Sequence, residues 1–352
     1  MIYKLIMQKL LTIVVPVYKV EPYINKCLDS CLIYKTDEQG NRVLDAALMN
    51  QLEVIIVNDG TPDRSAEMSR EYVKRYPQTF RQIDKENGGH GSAWNVGLKQ
   101  ATGKYLRFLD SDDWLTNLDK LMEKLQECDA DIVLTPKKEI IGNTEKIPCQ
   151  LGYEGGIVKD IVQFDFETNY PMTIMSFQYA TYRKCIFSIK DFAFREHCSY
   201  DDTILFTAPL LNAKTYVIYD FVVYNYLLGR ENQSADPIVA RKNIPSRIEN
   251  LEYMTNYFYA NKTKSINSHI EKNASVIISR LAAFLLCDIH YMPYKDAKQY
   301  ASLLIPYLKN PFWRPPKSAK RLVKHGFTIW YFFEKIKPKT VIRPFCAYKA
   351  FF

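Results

Sequence analysis

The chain has 352 residues, 47% of them hydrophobic, and a formal net charge of +8 at pH 7. That supplies a sizeable core and length for one catalytic domain plus an appendage, and it excludes a disordered chain or a small disulfide-stapled scaffold. Its eight cysteines form no CxxC pair and no framework spacing, so reduced thiols in a reducing compartment are expected.

Lys4 and Lys9 precede apolar residues that already belong to a strand, and no small-residue cleavage site follows, so no signal peptide is expected. The β-branched run 10–18 reads as a buried strand. Tyr23, Ile24, Cys27, Leu28, Cys31 and Leu32 then recur at helical period, which puts Cys27 and Cys31 on a core-facing stripe. A second buried-strand pattern at 52–57 closes on Asn58-Asp59-Gly60-Thr61-Pro62-Asp63, turn chemistry that precedes another helix. Asn87-Gly88-Gly89-His90-Gly91-Ser92 opens a further helix, and its glycines are expected to let backbone approach a bulky charged ligand. Lys85, His90 and His197 are expected at the surface.

Beyond Gly103, the apolar run 104–109 delivers Asp110, Ser111, Asp112 and Asp113 to one strand end. Carboxylate oxygens are the hard ligands that Mg2+ or Mn2+ prefers, and a metal shared with phosphate oxygens takes one or two of them. The alternative is an acidic strand-to-helix turn with Asp113 as helix N-cap. Strand alternating with helix predicts an α/β fold with a mostly parallel sheet, whose ligands collect at the carboxyl ends of the strands. Tyr18, Asp59 and Asp110 all sit at such ends.

The succession Pro16-Val17-Tyr18, Val57-Asn58-Asp59-Gly60, Glu86-Asn87-Gly88-Gly89 through Asn95-Val96-Gly97-Leu98, and Asp110-Ser111-Asp112-Asp113-Trp114 resembles glycosyltransferase family 2, the inverting GT-A enzymes. The resemblance covers residues 10 to about 230. It implies a Rossmann-like GT-A domain over 1–234, with a nucleotide-sugar half over about 1–125 and an acceptor half over about 126–234, followed by a helical region over 235–352. It further implies donor contacts from Pro16, Tyr18, Glu21, Asp59, Gly88, Gly89, Asn95, Asp110 and Ser111. In that scheme Tyr18 lies against the base, Asp59 accepts a hydrogen bond from it, Asp110 holds the ribose side and Asp112 ligates Mn2+ or Mg2+. Two departures stand out. Trp94 precedes Asn95 where the family commonly has Arg, so Trp94 is either buried or an aromatic wall of the sugar pocket. The Gln-x-x-Arg-Trp motif of processive members is missing, which implies one sugar per encounter. Gly-Gly-His-Gly-Ser resembles a bacterial subgroup linked to surface polysaccharides.

Inversion at an anomeric carbon needs a base for the acceptor hydroxyl. In residues 194–205 an acidic pair, Asp201-Asp202, precedes the apolar segment 203–211, expected as a helix. The resemblance implies that Asp202 is the base, with Asp201 where the family more often has Glu, and puts Asp201, Glu196 and Trp114 on the acceptor side. The alternative is that the pair only caps the helix and complements its dipole.

Helices are expected at 248–259 and 274–286. The stretch 275–292 is interrupted by Arg280, Asp288 and His290 and falls short of a membrane span. From Lys309 onward, eleven Lys or Arg face one acid, Glu334, so the basic character of the chain resides in its tail. Wound as a helix, 317–337 puts Leu322, Val323, Ile329, Trp330, Phe333 and Ile336 opposite its lysines, a pattern suited to an anionic membrane surface. The alternative is a helix docked on the protein's own core. Nucleic acid is not an expected partner, because no nucleic-acid-binding fold signature is present.

The expectation is therefore a metal-dependent inverting glycosyltransferase that moves a sugar from a nucleotide-diphosphate donor, a UDP-sugar, to a hydroxyl of a cell-surface glycan or lipid-linked acceptor, cytoplasmic and peripheral on the inner face of the membrane. A nucleotidyltransferase of related architecture lacks support, since 16–21 has no glycine. An inactive scaffold subunit would tolerate loss of the acidic sites, all of which are retained.

Overall fold

The computed structural model describes residues 9–148, 151–153, 156–157, 162–165, 176–231, 233–263, 268–289, 291–311 and 323–324. The tail helix expected at 317–337 lies outside these residues apart from 323–324, as do Cys149 and Cys346.

Eight strands form the central sheet, in the spatial order Val162–Asp165, Thr215–Ile218, Ile132–Leu134, Ala180–Arg183, Tyr105–Phe108, Leu11–Val17, Leu52–Asp59 and Phe80–Lys85. The last four run parallel to one another, whereas Ala180–Arg183 is antiparallel to both neighbours. Strand Leu11–Val17 lies between Leu52–Asp59 and Tyr105–Phe108, so the chain winds one way from it and then the other. The carboxyl ends at this reversal open a crevice.

Both central strands are buried on both faces at every position, which explains why they read as unbroken apolar runs rather than alternating ones. Helix His90–Gln100 packs on this sheet closely enough that a Cβ on Gly97 would overlap the Val14 side chain. The predicted helix after the first strand covers only Ile24–Asp29, yet Cys27 and Cys31 are both buried as expected.

The segment 203–211 is not an α-helix. It forms two 3-10 turns, Asp201–Phe206 and Ala208–Leu211, because Pro209 cannot donate to a continuing ladder. The expected helices at 248–259 and 274–286 extend to Ile244–Asn261 and Ser268–Ile289, and a third, Tyr294–Leu308, follows. Tyr257, Phe258, Ala274 and Ile277 join the core of the sheet domain, while Leu251, Ile278, Leu286, Ala301 and Leu304 build a second core among the helices. Among the described residues, no helix is long and apolar enough to cross a membrane.

Candidate active site

A cavity of about 710 Å3 opens at the carboxyl ends of the central strands and runs beneath the helical region. Pro16, Tyr18, Asp59, Gly89, Asp110, Ser111, Asp112, Asp201 and Asp202 line it, so most of the predicted site converges from distant parts of the chain.

The acidic strand end is built by division of labour. Oxygens of Asp110, Asp112 and Asp113 lie within 4.8 Å of one another. Asp113 is not a helix cap. Its carboxylate accepts from the Tyr224 hydroxyl at 2.6 Å and the Leu227 amide at 2.8 Å, tying the acidic turn to strand Tyr224–Leu228, while the next helix starts at Leu118 after Asn117. Burial, with Asp112 and Asp110 alongside, holds Asp113 well above the usual carboxylate range. Asp112 is also raised by burial and by Asp110, and the Arg230 guanidinium pairs with it and offsets part of that rise. Arg230, whose ring neighbour is Tyr23, was not foreseen from sequence because it comes from a loop with no motif.

His90 bridges Asp110 and Asp201. Its Nε2 lies 3.0 Å from Asp110 Oδ1 and its Nδ1 lies 3.0 Å from Asp201 Oδ2. Burial pulls its pKa down, but the Asp201 and Asp110 carboxylates outweigh burial and raise it well above the ordinary value. As an imidazolium it donates from both nitrogens; its side chain is 34% exposed at the cavity surface and is held there by the two carboxylates. Trp94 is completely buried and stacks on Phe108 at 4.3 Å between ring centroids. Its ring centroid also lies 4.2 Å from that of His90, so it packs against the histidine and does not line the cavity.

The Gly-rich turn serves the protein's own chain. Asp59 accepts from the Gly88 amide at 2.9 Å, the Gly89 amide at 2.8 Å and Lys85 Nζ at 2.7 Å, so Lys85 is paired rather than free in solvent. A Cβ on Gly91 would fall on the Arg195 carbonyl, one on Gly89 would meet the His197 amide, and one on Gly88 would overlap Ser92. The missing Cβ atoms thus permit close approach to neighbouring protein, chiefly the segment 194–198, and Gly89 also lines the cavity. His197 donates its amide to the Gly88 carbonyl at 2.7 Å. Asn95 completes the dock: its Nδ2 donates to the Phe194 carbonyl at 2.9 Å and its Oδ1 accepts the Phe194 amide at 2.8 Å.

Five predicted residues do not line the cavity. Gly88 is buried, with its amide on Asp59 and its carbonyl accepting the His197 amide. Asn95 is committed to Phe194, and Glu196 is exposed and contacts Asn95 Nδ2. Glu21 is engaged with the Arg64 amide and guanidinium. Trp114 lies on the strand beside Asn225, with Lys26 Nζ 3.1 Å from its ring centroid.

The acidic pair separates into two roles. Asp201 is 4% exposed and committed to His90. Asp202 makes no side-chain hydrogen bond among the described residues; burial, together with the Asp201 charge, lifts it to about 7, while His90 holds it lower than it would otherwise lie.

A mostly parallel α/β sheet with this acidic strand end at its reversal point defines a GT-A architecture, and the helical region lies after it. The family model for glycosyl transferase family 2 matches residues 12–188, half of the chain, and the chain belongs to that family of transferases. It is 40% identical over 126 residues to the uncharacterized glycosyltransferase EpsJ of Bacillus subtilis, a match covering 35% of this chain and 33% of EpsJ. Identity is 26% over 229 residues to the minor teichoic acid biosynthesis protein GgaB of the same organism, covering 64% of this chain and 23% of GgaB. The chain thus spans a third or less of the length of these relatives. In fold it resembles S. aureus TarS 1-349 in complex with UDP, at a TM-score of 0.63 and 16% identity over 94% of this chain and 89% of that one. It also resembles the mannosyltransferase PcManGT of Pyrobaculum calidifontis, solved with GDP-Man and Mn2+, at a TM-score of 0.52 and 13% identity over 97% and 83% of the two chains.

Proposed function

We propose that this chain is a metal-dependent inverting glycosyltransferase that moves one sugar per encounter from a nucleotide-diphosphate donor, a UDP-sugar, to a hydroxyl of a cell-surface glycan or lipid-linked acceptor. The observation that carries this reading is Asp202, a carboxylate with no side-chain hydrogen bond among the described residues, raised to about 7 in the same cavity as Asp110 and Asp112 of the acidic cluster. Solved proteins of similar fold hold UDP, UDP-GlcNAc or GDP-Man, which supports a nucleotide donor.

The donor set suits a hard divalent cation. Asp112 and Asp110 would hold it, since Asp113 is consumed by Tyr224 and Leu227. When bound, Mn2+ or Mg2+ offsets charge developing on the leaving diphosphate. The chain's own residues then do the rest. Asp202 accepts the acceptor hydroxyl proton as its oxygen bonds to the anomeric carbon and the bond to the diphosphate breaks on the opposite face. Asp201 keeps His90 charged and fixed, and Pro16, Tyr18 and Ser111 wall the donor end. The catalytic unit in this reading is 1–234 and the appendage 235–352, with the basic tail holding the protein peripherally on the cytoplasmic face.

Donor turnover by the purified protein is the test. Free sugar plus nucleoside diphosphate supports transfer chemistry; pyrophosphate would support a nucleotidyltransferase, and no turnover with any nucleotide sugar would leave a scaffold role.

A further inference from the structure

The cavity does not end at the acidic groups. It continues from Asp202 into a chamber walled by Phe206, Ala240, Leu251, Leu281, Phe284 and Leu285, contributed by the 3-10 turn Asp201–Phe206 and by helices Pro237–Lys242, Ile244–Asn261 and Ser268–Ile289. Phe206, Ala240, Leu281 and Phe284 are only partly buried, so apolar surface faces the void. Among the described residues, the ion pair of this wall, Arg247 with Asp288, is closed at 2.6 Å, and both side chains are buried. Its charges cancel, which leaves the chamber without a net charge to receive a phosphate. Beyond it the same cavity carries Asp110, Asp112, Asp201 and Asp202, with Arg230 paired to Asp112; Lys137, beside Glu139, and Lys146 also line it. At about 710 Å3 the whole cavity sits in the upper part of the roughly 300–1,000 Å3 range of ligand pockets, with room for more than one ligand.

We infer that this chamber is the subsite for an uncharged hydrocarbon chain joined to the acceptor sugar, so that the acceptor is an apolar glycoside and not a free polyanionic polymer. The inference rests on the proposed transferase reading and deepens it. The sugar hydroxyl would stand at Asp202 while its aglycone lies among Phe206, Leu281 and Phe284. Continuity of the chamber with the carboxylate that takes the proton is what ties it to the acceptor rather than to the nucleotide.

Binding of methyl, butyl, hexyl and octyl β-D-glucosides to the full chain, each below its micelle concentration, tests this by calorimetry. Affinity is expected to rise by up to about fourfold per added methylene and then level off when the chamber is filled. Ala240→Trp, which fills the chamber, should abolish the chain-length dependence, and Phe284→Ala should weaken octyl glucoside several-fold. UDP binding with Mn2+, measured on the same samples, should be unchanged in both variants. No dependence on chain length, or a dependence that survives Ala240→Trp, overturns the subsite even where UDP binds normally. Failure of UDP to bind the wild-type protein strikes instead at the transferase reading.

Discussion

Asp202 and Asp201 are adjacent in sequence and opposite in circumstance. Asp201 spends both oxygens on His90, so its carboxylate is held in place; Asp202 has no such partner and its pKa is pushed up to about 7. Two outcomes follow for Asp202→Asn. Transfer should fall roughly 100-fold or more while donor affinity is kept, and the rise of wild-type rate with pH through about 7 should disappear, because a base acts only when deprotonated. The stability effect has the opposite sense. A carboxyl whose folded pKa is raised is stabilising while protonated and loses that contribution as pH rises through the folded value, so Asp202→Asn should melt above wild type at pH 8, with the gap closing toward pH 4. Should Asp201→Asn lose the rate and Asp202→Asn keep it, the roles are exchanged. In the acidic cluster, Arg230 occupies the Asp112 carboxylate that the proposed cation would use. Arg230→Gln should therefore tighten Mn2+ binding several-fold in the absence of donor, measured by electron paramagnetic resonance, whereas Asp112→Asn should remove it. Equal Mn2+ affinity in wild type and Arg230→Gln would show that the pair does not compete with metal. The place of Asp112 in an acidic strand end was legible in the motif; its partner was not, since an arginine 118 positions downstream in a loop announces nothing by periodicity.

At the scale of elements, strands were legible because burial on both faces leaves unbroken β-branched runs, and the turns because Asn, Asp, Gly and Pro carry their own backbone chemistry. What the glycines face was not legible, since close approach of backbone to a ligand and close approach to another loop demand the same missing Cβ. The structure settles Gly91 in favour of the segment 194–198, which carries the chain on to Asp201. Gly91→Ala should then destabilise the fold by roughly 1–3 kcal/mol through overpacking, read by urea unfolding, and should lower transfer more than donor affinity because His90 and Asp201 are pushed apart. A variant with unchanged stability and transfer would mean that the loop yields freely. Trp94 shows the same limit from the other side. Its large apolar ring in place of a common arginine signalled a change, but only packing against Phe108, Phe177, Phe194 and His90 shows that it became part of the core.

Across the whole molecule, the charge is unevenly distributed: the chain is +8 overall, while the segment from Lys309 holds eleven basic residues against one acid. The helical region before it is secured to the rest. Leu304 and Leu308 are buried in the second core, and Asn310 donates to Ser275 at 2.6 Å and to Ser279 at 2.9 Å. A truncation meant to test the tail should therefore begin after Pro311, since a cut at Lys309 would also sever those hydrogen bonds. Each Lys or Arg near an anionic surface contributes about 1 kcal/mol, an attraction that salt screens, and burial of an aromatic face adds a share that salt leaves alone. Removal of residues 312–352 should release the protein from phosphatidylglycerol vesicles while donor hydrolysis continues, and the full chain should bind those vesicles far better than neutral ones, less so in high salt. Equal sedimentation of the full and truncated chains with vesicles would dismiss the membrane role of the tail. Aggregation of the truncated protein, with the helix Tyr294–Leu308 intact, would instead assign those aromatic residues to a face of the protein itself.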